Sequence, residues 1–271
     1  MNQVKKIDGK SLDGKKIAII GGGAMGGALA RGLLEYGKIN PSMLTVANPH
    51  TEKLDDLKSK GVNITKSNIE ACSGAEIIII AVKPWKVNEV IKEILLQIDE
   101  EKTEISLIVA GIPGKDILLM FEDHIPNNIS ISMPNTAMSA GASMTFITPL
   151  NGKPILAETI FENLGKVKII EERLLPAATA LASCGIAYAM RYVRAATEGG
   201  VELGFRASEA KEIIVQTIEG ATALLNFPDS HPESEIDKVT TPGGLTIKGL
   251  NTMEKYGFTT SVIEGLKASV K

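Results

Sequence analysis

Short aliphatic runs alternate with amphipathic stretches from residue 15 to residue 170. KKIAII (15–20), MLTVA (43–47), AEIIIIAV (75–82) and ISLIVAG (105–111) are nearly unbroken apolar runs, and VNIT (62–65) is a shorter one. Runs of this kind are strands buried on both faces, as in a parallel sheet covered by helices. Between them the pattern becomes helical: an apolar-periodic segment to about Tyr36, with Gly37 placed as a helix-ending glycine, then charged segments at 52–60 and 86–97. NISISM (128–133), SMTFITP (143–149) and KVKII (166–170) extend the sheet, with a helix at 153–163. The βαβαβ order predicts an α/β fold, a doubly wound Rossmann-like domain over 15–170.

Beyond Glu171 the pattern is helical only, which sets an all-α domain over 171–271. An apolar or small face recurs at 186, 189, 190, 193, 197, 200, 201 and 204. Another recurs at 210, 213, 214, 217, 218, 221, 224 and 225, with Ser208 as its N-cap. A third helix runs from about Gly244 to Gly257, and a fourth opens on the capping box Ser261-Val-Ile-Glu264. The pairs Ala195/Gly199 and Ala196/Gly200 each stack on one helix face. A surface of small residues admits another backbone, either inside the domain or across a dimer. The quantity of apolar surface in this stretch favours the dimer.

Composition narrows the function. The 271 residues are long for one core and suit two domains. Aromatic residues make up only 4%, so packing must rely on aliphatic residues, alanine and glycine, which argues against a stacking platform for single-stranded nucleic acid. A net charge of −3 leaves no footprint for nucleic acid or an anionic membrane. Cys72 and Cys184 are far apart without a C-x-x-C, which argues against disulfides or zinc and fits a cytoplasmic protein. Residues 1–14 read as a polar extension without a targeting signal, and the uncharged stretch Pro176–Met190 is too short and Ala-rich for a membrane span. The three histidines are too scattered for a metal site.

The sharpest motif is Gly21-Gly22-Gly23-Ala24-Met25-Gly26, directly after the first strand and opening a helix. In a dinucleotide site the first glycine of G-x-G-x-x-G makes the turn, the second lets the backbone approach the pyrophosphate, and the third permits close helix–strand packing. The second strand ends Ala47-Asn48-Pro49-His50-Thr51, with no acid before Glu52 to hold a ribose 2′-hydroxyl. Asn48, His50 and Thr51 can donate hydrogen bonds and Lys53 follows, so NADPH is favoured over NADH. The next strand tip, Ala81-Val82-Lys83-Pro84, should border the cofactor, because ligands lie outside the carboxyl ends of parallel strands.

Several separated motifs resemble the pyrroline-5-carboxylate reductase family: IGGGAMGGAL (20–29), GVNIT (61–65), AVKP (81–84), MPNTAMSAGAS (133–143), GIAYAM (185–190), EGGVELGF (198–205) and VTTPGGLTIKGLNTMEKYGF (239–258). The resemblance implies an NAD(P)H-dependent reduction of 1-pyrroline-5-carboxylate to L-proline, the last step of proline biosynthesis. It also implies a Rossmann domain, a helical domain that interlocks into a homodimer, and dimers assembled further into a decamer. The active site would be shared between the nicotinamide pocket of one chain and the helical domain of its partner. By position, the glycine loop, Asn48, Pro49, His50, Asn63 and the Ala81–Pro84 turn would bind cofactor. Val109, Ala110 and Gly111 would face the nicotinamide together with Pro134 and Asn135. Glu172, Thr241, Gly244, Leu245 and Thr246 would bind substrate, with Thr246 catalytic through a hydrogen bond to the imine nitrogen. No metal is implied.

The chain departs from the family pattern at Ser183-Cys184-Gly185-Ile186, Trp85, Lys238 and Leu245. Two other readings share the Rossmann front. A β-hydroxyacid dehydrogenase or imine reductase would carry a helical rear, but the hydroxyacid enzymes place a catalytic Lys where Ala177–Tyr188 has none. The other is a non-catalytic NADP-binding scaffold.

Overall fold

The computed structural model describes residues 11–270. They divide into two compact units, the first ending at Ser183 and the second beginning at Cys184. The first ten residues of the polar extension expected at 1–14 lie outside the described residues. Leu12, by contrast, is buried in the same cluster as Ile17 and Leu33 and belongs to the fold.

The first unit is built on one sheet of eight strands: β1 Ile17–Ile20, β2 Leu44–Ala47, β3 Asn63–Thr65, β4 Ile77–Ile80, β5 Glu104–Leu107, β6 Asn128–Met133, β7 Ser143–Asn151 and β8 Gly165–Ile169. Their order across the sheet is β3-β2-β1-β4-β5-β6-β7-β8. All neighbours are parallel except β6 and β7, which reverse through the turn at Thr136–Ala140. The first six strands have the Rossmann order, which turns back between β1 and β4.

Alternation along the strands sorts the core into two layers. Ile17 and Ile19 of β1, with Ile77 and Ile79 of β4, join one buried cluster. Ala18, Ile20, Ile78 and Ile80 join the other. Successive side chains on a strand face opposite ways, so a run of four isoleucines needs an apolar cover on both sides. Helix α1 (Ala24–Glu35) covers the first layer. Two single-turn helices follow, α2 (Asp55–Lys58) and α3 (Asn68–Cys72). Helices α4 (Val87–Ile94) and α5 (Gly114–Leu119) cover the second layer. Helix α6 (Ile155–Glu162) returns to the first layer, where Phe161 is fully buried. The unit closes with α7 (Leu175–Ala178) and a widened π-helical turn over Thr179–Cys184.

The charged helix expected at 52–60 is only a 3-10 turn followed by α2. The hydrophobic pattern carries no sign of α3 or α5, which are too short to show a helical period.

The second unit contains α8 (Gly185–Glu202), α9 (Ala207–Leu224), α10 (Pro232–Lys238), α11 (Leu245–Lys255) and α12 (Phe258–Ala268). Three expected boundaries differ. The face carried through residue 204 stops with α8 at Glu202, because Gly204 takes φ +104° and the Phe205 N–H turns back to the Gly200 carbonyl. Helix α9 starts before Ser208, with the Glu209 carboxylate accepting the Arg206 N–H. Helix α12 starts at Phe258 rather than at Ser261, whose hydroxyl donates to the Phe258 carbonyl inside the helix. The Glu254 carboxylate of α11 instead accepts the Thr259 hydroxyl at the α12 start.

One buried charge holds the sheet to a helix. Glu104 on β5 is 4% exposed, and its carboxylate accepts the Leu156 and Ala157 N–H groups at 2.8 Å each, at the head of α6. Burial pushes this carboxyl above its ordinary 4.5, while the backbone donors oppose the shift. Between 4.5 and the raised value the native state holds a proton that the unfolded chain releases, so stability falls as pH climbs through that interval. Glu104→Gln should lose this pH-dependent component and cost about 1–3 kcal/mol, because one N–H is left without its acceptor. Urea unfolding of both proteins across that pH interval checks both effects.

Candidate active site

A cleft of about 660 Å³ opens at the carboxyl ends of the parallel strands. It spans the point where the strand order turns back, between β1 and β4, which is where open α/β sheets hold their ligands. Gly21, Gly23, Ala24 and Met25 line it after β1, and Asn48 and Pro49 after β2. Ala81–Pro84 line it after β4, Val109 and Ala110 after β5, and Pro134 and Asn135 after β6. Strand tips far apart in the sequence thus meet on one rim.

The glycines separate by what a side chain would meet. Gly21 has φ +99°, and a Cβ there would lie 2.5 Å from the Ala81 carbonyl oxygen. At Gly26 a Cβ would lie 1.9 Å from the Gly21 carbonyl oxygen, and at Gly22 2.6 Å from Leu54. Gly21 and Gly26 are held by backbone and serve the turn itself, while Gly22 meets the end of a flexible side chain. Gly23 is different: a Cβ there meets no atom within 4 Å, so its bareness serves no packing in the protein. It lies at the N-cap of the twelve-residue α1, where unpaired N–H groups and the positive helix end suit a phosphate. The glycine that packing does not require is the one that the approach of a pyrophosphate does require. The chain's own residues therefore fit a dinucleotide.

The β2 end carries no free acid. The Asn48 side chain donates to the His50 carbonyl at 2.8 Å. Glu52 faces His50 at 3.3 Å, and its own backbone N–H, together with that imidazole, holds its carboxyl below the usual range. His50 is not among the residues lining the cleft.

Asn63 is not brought to the cleft. It opens β3 rather than closing it, and its amide donates to the Ser42 carbonyl at 2.8 Å. Lys66 and Asn68, just beyond the end of β3, line the wall instead. Sequence reasoning missed both, although the rule that ligands sit at carboxyl ends of strands could have found them.

At the far end Met133, Thr179 and Ser183 complete the wall. Asn135 is 5% exposed and ties this end together: it accepts the Ala137 N–H at 3.0 Å and donates to the Ala182 carbonyl at 3.2 Å. The widened turn at 179–184 sets Thr179 and Ser183 along the cleft wall, with the Thr179 hydroxyl donating to the Leu175 carbonyl at 2.8 Å; π-turns are often found at such sites. Gly111 stands beyond the β5 tip with φ +81°; a Cβ there would meet no atom within 4 Å, and the residue lies off the cleft lining. Glu172 is also off the lining; its carboxylate accepts the Gly114 N–H at 2.7 Å, at the start of α5. Cys72 is buried and its thiol is pushed up to about 12, so it is inert.

In the second unit the loop Thr241-Pro242-Gly243-Gly244 opens α11. Gly243 has φ +69°, the Gly244 N–H donates to the Thr241 carbonyl at 2.9 Å, and a Cβ on Gly244 would strike the Thr241 hydroxyl at 2.5 Å. Leu245 is 86% exposed. Thr246 is the second residue of the helix, not its cap. Thr197, Thr217, Thr222 and Thr252 all return their hydroxyls to the carbonyl four residues back, while that of Thr246 has no partner among the described residues.

The same unit has almost no core. From Cys184 onward Ala210 alone is buried among the described residues, against Gly200, while Met190, Leu203, Phe205, Phe227 and Tyr256 stand exposed. Gly200 of the Ala196/Gly200 pair is thus used internally, and Gly199 faces open space.

A Rossmann sheet with a nucleotide turn at its switch point, followed by a coreless helical unit, defines a nicotinamide-dependent oxidoreductase that self-associates. Comparisons with known proteins give the same class. Residues 172–271 match the family model of pyrroline-5-carboxylate reductase dimerisation, a range that includes Glu172–Glu202, the one described run long and apolar enough to cross a bilayer by length and composition. Residues 16–110 match that of NADP oxidoreductase, coenzyme F420-dependent. Pyrroline-5-carboxylate reductase 2 of Dictyostelium discoideum is 36% identical, covering 95% of this chain and 91% of its own. The enzyme of Synechocystis is 32% identical over 94% and 96%. The crystal structure of Plasmodium falciparum pyrroline carboxylate reductase, solved with NADP bound, superposes with a TM-score of 0.85 at 26% identity, covering 95% of this chain and 96% of that one. This chain belongs to the pyrroline-5-carboxylate reductase family.

Two substitutions separate the duties of the glycines. Gly26→Ala should lower stability by about 3 kcal/mol or more, since backbone must move to admit the methyl. Gly23→Ala should leave the melting temperature nearly unchanged and weaken NADPH binding at least tenfold, roughly 1.4 kcal/mol or more. Thermal unfolding paired with nucleotide titration reads both.

Proposed function

We propose that the chain reduces 1-pyrroline-5-carboxylate to L-proline with NADPH as the donor, the last step of proline biosynthesis, and does so as a homodimer that assembles further into a decamer. The observation that carries this reading is the turn at Gly23, left bare toward the cleft, in a chain that aligns along nearly its whole length with reductases of this name. Bound NADPH would supply the hydride that adds to the C=N carbon. The turn at 21–26 and the head of α1 would hold the pyrophosphate, and Asn48 and Pro49 would border the adenosine ribose. Ala81–Pro84, Val109, Ala110, Pro134 and Asn135 would wall the nicotinamide end.

In the helical unit the N–H groups at the head of the eleven-residue α11 suit the substrate carboxylate. The free hydroxyl of Thr246 would hydrogen-bond the ring nitrogen as it gains its proton. A threonine hydroxyl is a weak acid, so positioning by Thr241, Gly244, Leu245 and Thr246 supplies more of the catalysis than proton transfer. Glu172, whose carboxylate accepts the Gly114 N–H, would also bind substrate. We assign residues 15–170 to the cofactor and 171–271 to substrate and self-association, and both free cysteines suit a cytoplasmic enzyme.

Purified protein should oxidise NADPH when given 1-pyrroline-5-carboxylate, and should leave β-hydroxyacids untouched with NADP. Binding of NADPH without turnover of the pyrroline would overturn the proposal. Thr246→Ala should lower kcat/KM about 10²-fold with NADPH binding unchanged; wild-type turnover in that variant would remove Thr246 from the reaction.

A further inference from the structure

One cation on the cleft wall has no task in the proposed reduction. Lys66 follows β3 directly and lines the cleft. The Asn48 N–H donates to the carbonyl of Thr65 at 3.0 Å, which places Lys66 beside the end of β2. In a Rossmann sheet that is the side on which the adenosine ribose lies.

The other charged groups around it are each engaged by another partner. Lys86 is held by Glu89 at 2.7 Å, and Glu89 is the only carboxylate among the residues lining the cleft. Glu52 faces His50, Glu70 accepts the Thr65 hydroxyl, and Glu93 accepts the Asn68 amide at 2.7 Å. Lys83 stands at the end of β4, on the other side of the switch point. Lys66 makes no ion pair or side-chain hydrogen bond among the described residues. An unpaired ammonium beside the β2 end, which the nearby carboxylates leave unbridged, suits an anion. The two nicotinamide dinucleotides differ at this place by one group, a 2′-phosphate or a hydroxyl.

We propose that Lys66 is the specificity-determining residue that selects the phosphorylated dinucleotide by pairing with its 2′-phosphate. The inference rests on the reading of the cleft as a dinucleotide site. Lys53, on the neighbouring turn but outside the cleft lining, contributes only general charge.

The test is calorimetric titration of the full chain with NADPH and with NADH, in wild type, Lys66→Gln, Lys66→Arg and Lys53→Gln. Lys66→Gln should weaken NADPH binding roughly tenfold, in keeping with one charge-assisted contact at an exposed site, and leave NADH binding unchanged. Lys66→Arg should keep the preference for NADPH, and Lys53→Gln should behave as wild type. Equal losses for both nucleotides, no loss, or the same loss in Lys53→Gln would overturn the role of Lys66 and leave the dinucleotide site standing. A wild-type protein that binds neither nucleotide would overturn that reading and, with it, the role of Lys66.

Discussion

The structure depends on one close approach between backbones, where β1 turns into α1 against the tip of β4. Gly21 turns with a left-handed φ under the Ala81 carbonyl, and Gly26 lies against the Gly21 carbonyl with no room for a methyl group. That crowding presses the head of α1 onto the sheet and fixes where its unpaired N–H groups point. The cleft, the strand tips around it and the bare surface at Gly23 follow from this contact. A chain with 4% aromatics is suited to such packing, since layers of isoleucine, leucine and alanine let backbones come close.

The helical unit obeys a different constraint. Among its described residues Ala210 alone is buried, so in a single chain its amphipathic faces have nothing to cover them. Helices are stabilised mainly by burying an apolar face, and a unit of this kind gains that stability through association. Its match to a dimerisation family is the physical counterpart of its missing core. Folding and assembly are thereby linked.

Much of this was legible in the residues. Continuous isoleucine runs betray strands covered on both faces, and a strand leading into G-x-G-x-x-G identifies the turn from residue order alone. Features that depend on distant partners were not legible. Helix α12 begins three residues before its apparent capping box because Glu254 accepts the Thr259 hydroxyl from the preceding helix. Helices α3, α5 and α10 are too short to register as a period. Glu172 reaches the Gly114 N–H across 58 positions, and Asn63 turns to Ser42 because it begins its strand instead of ending it. The π-turn at 179–184 coincides with the Ser183–Ile186 departure from the family pattern, and no local propensity marks it.

The reduction is a direct hydride transfer from the dinucleotide to the imine carbon of the substrate. Its most direct test is to supply NADPH carrying deuterium at the reactive C4 position, with 1-pyrroline-5-carboxylate, and to analyse the product by mass spectrometry and NMR. Direct transfer gives proline carrying a single deuterium at C5, with NADPH consumed in equal amount. Proline without the label, or NADPH consumed without proline, would contradict it.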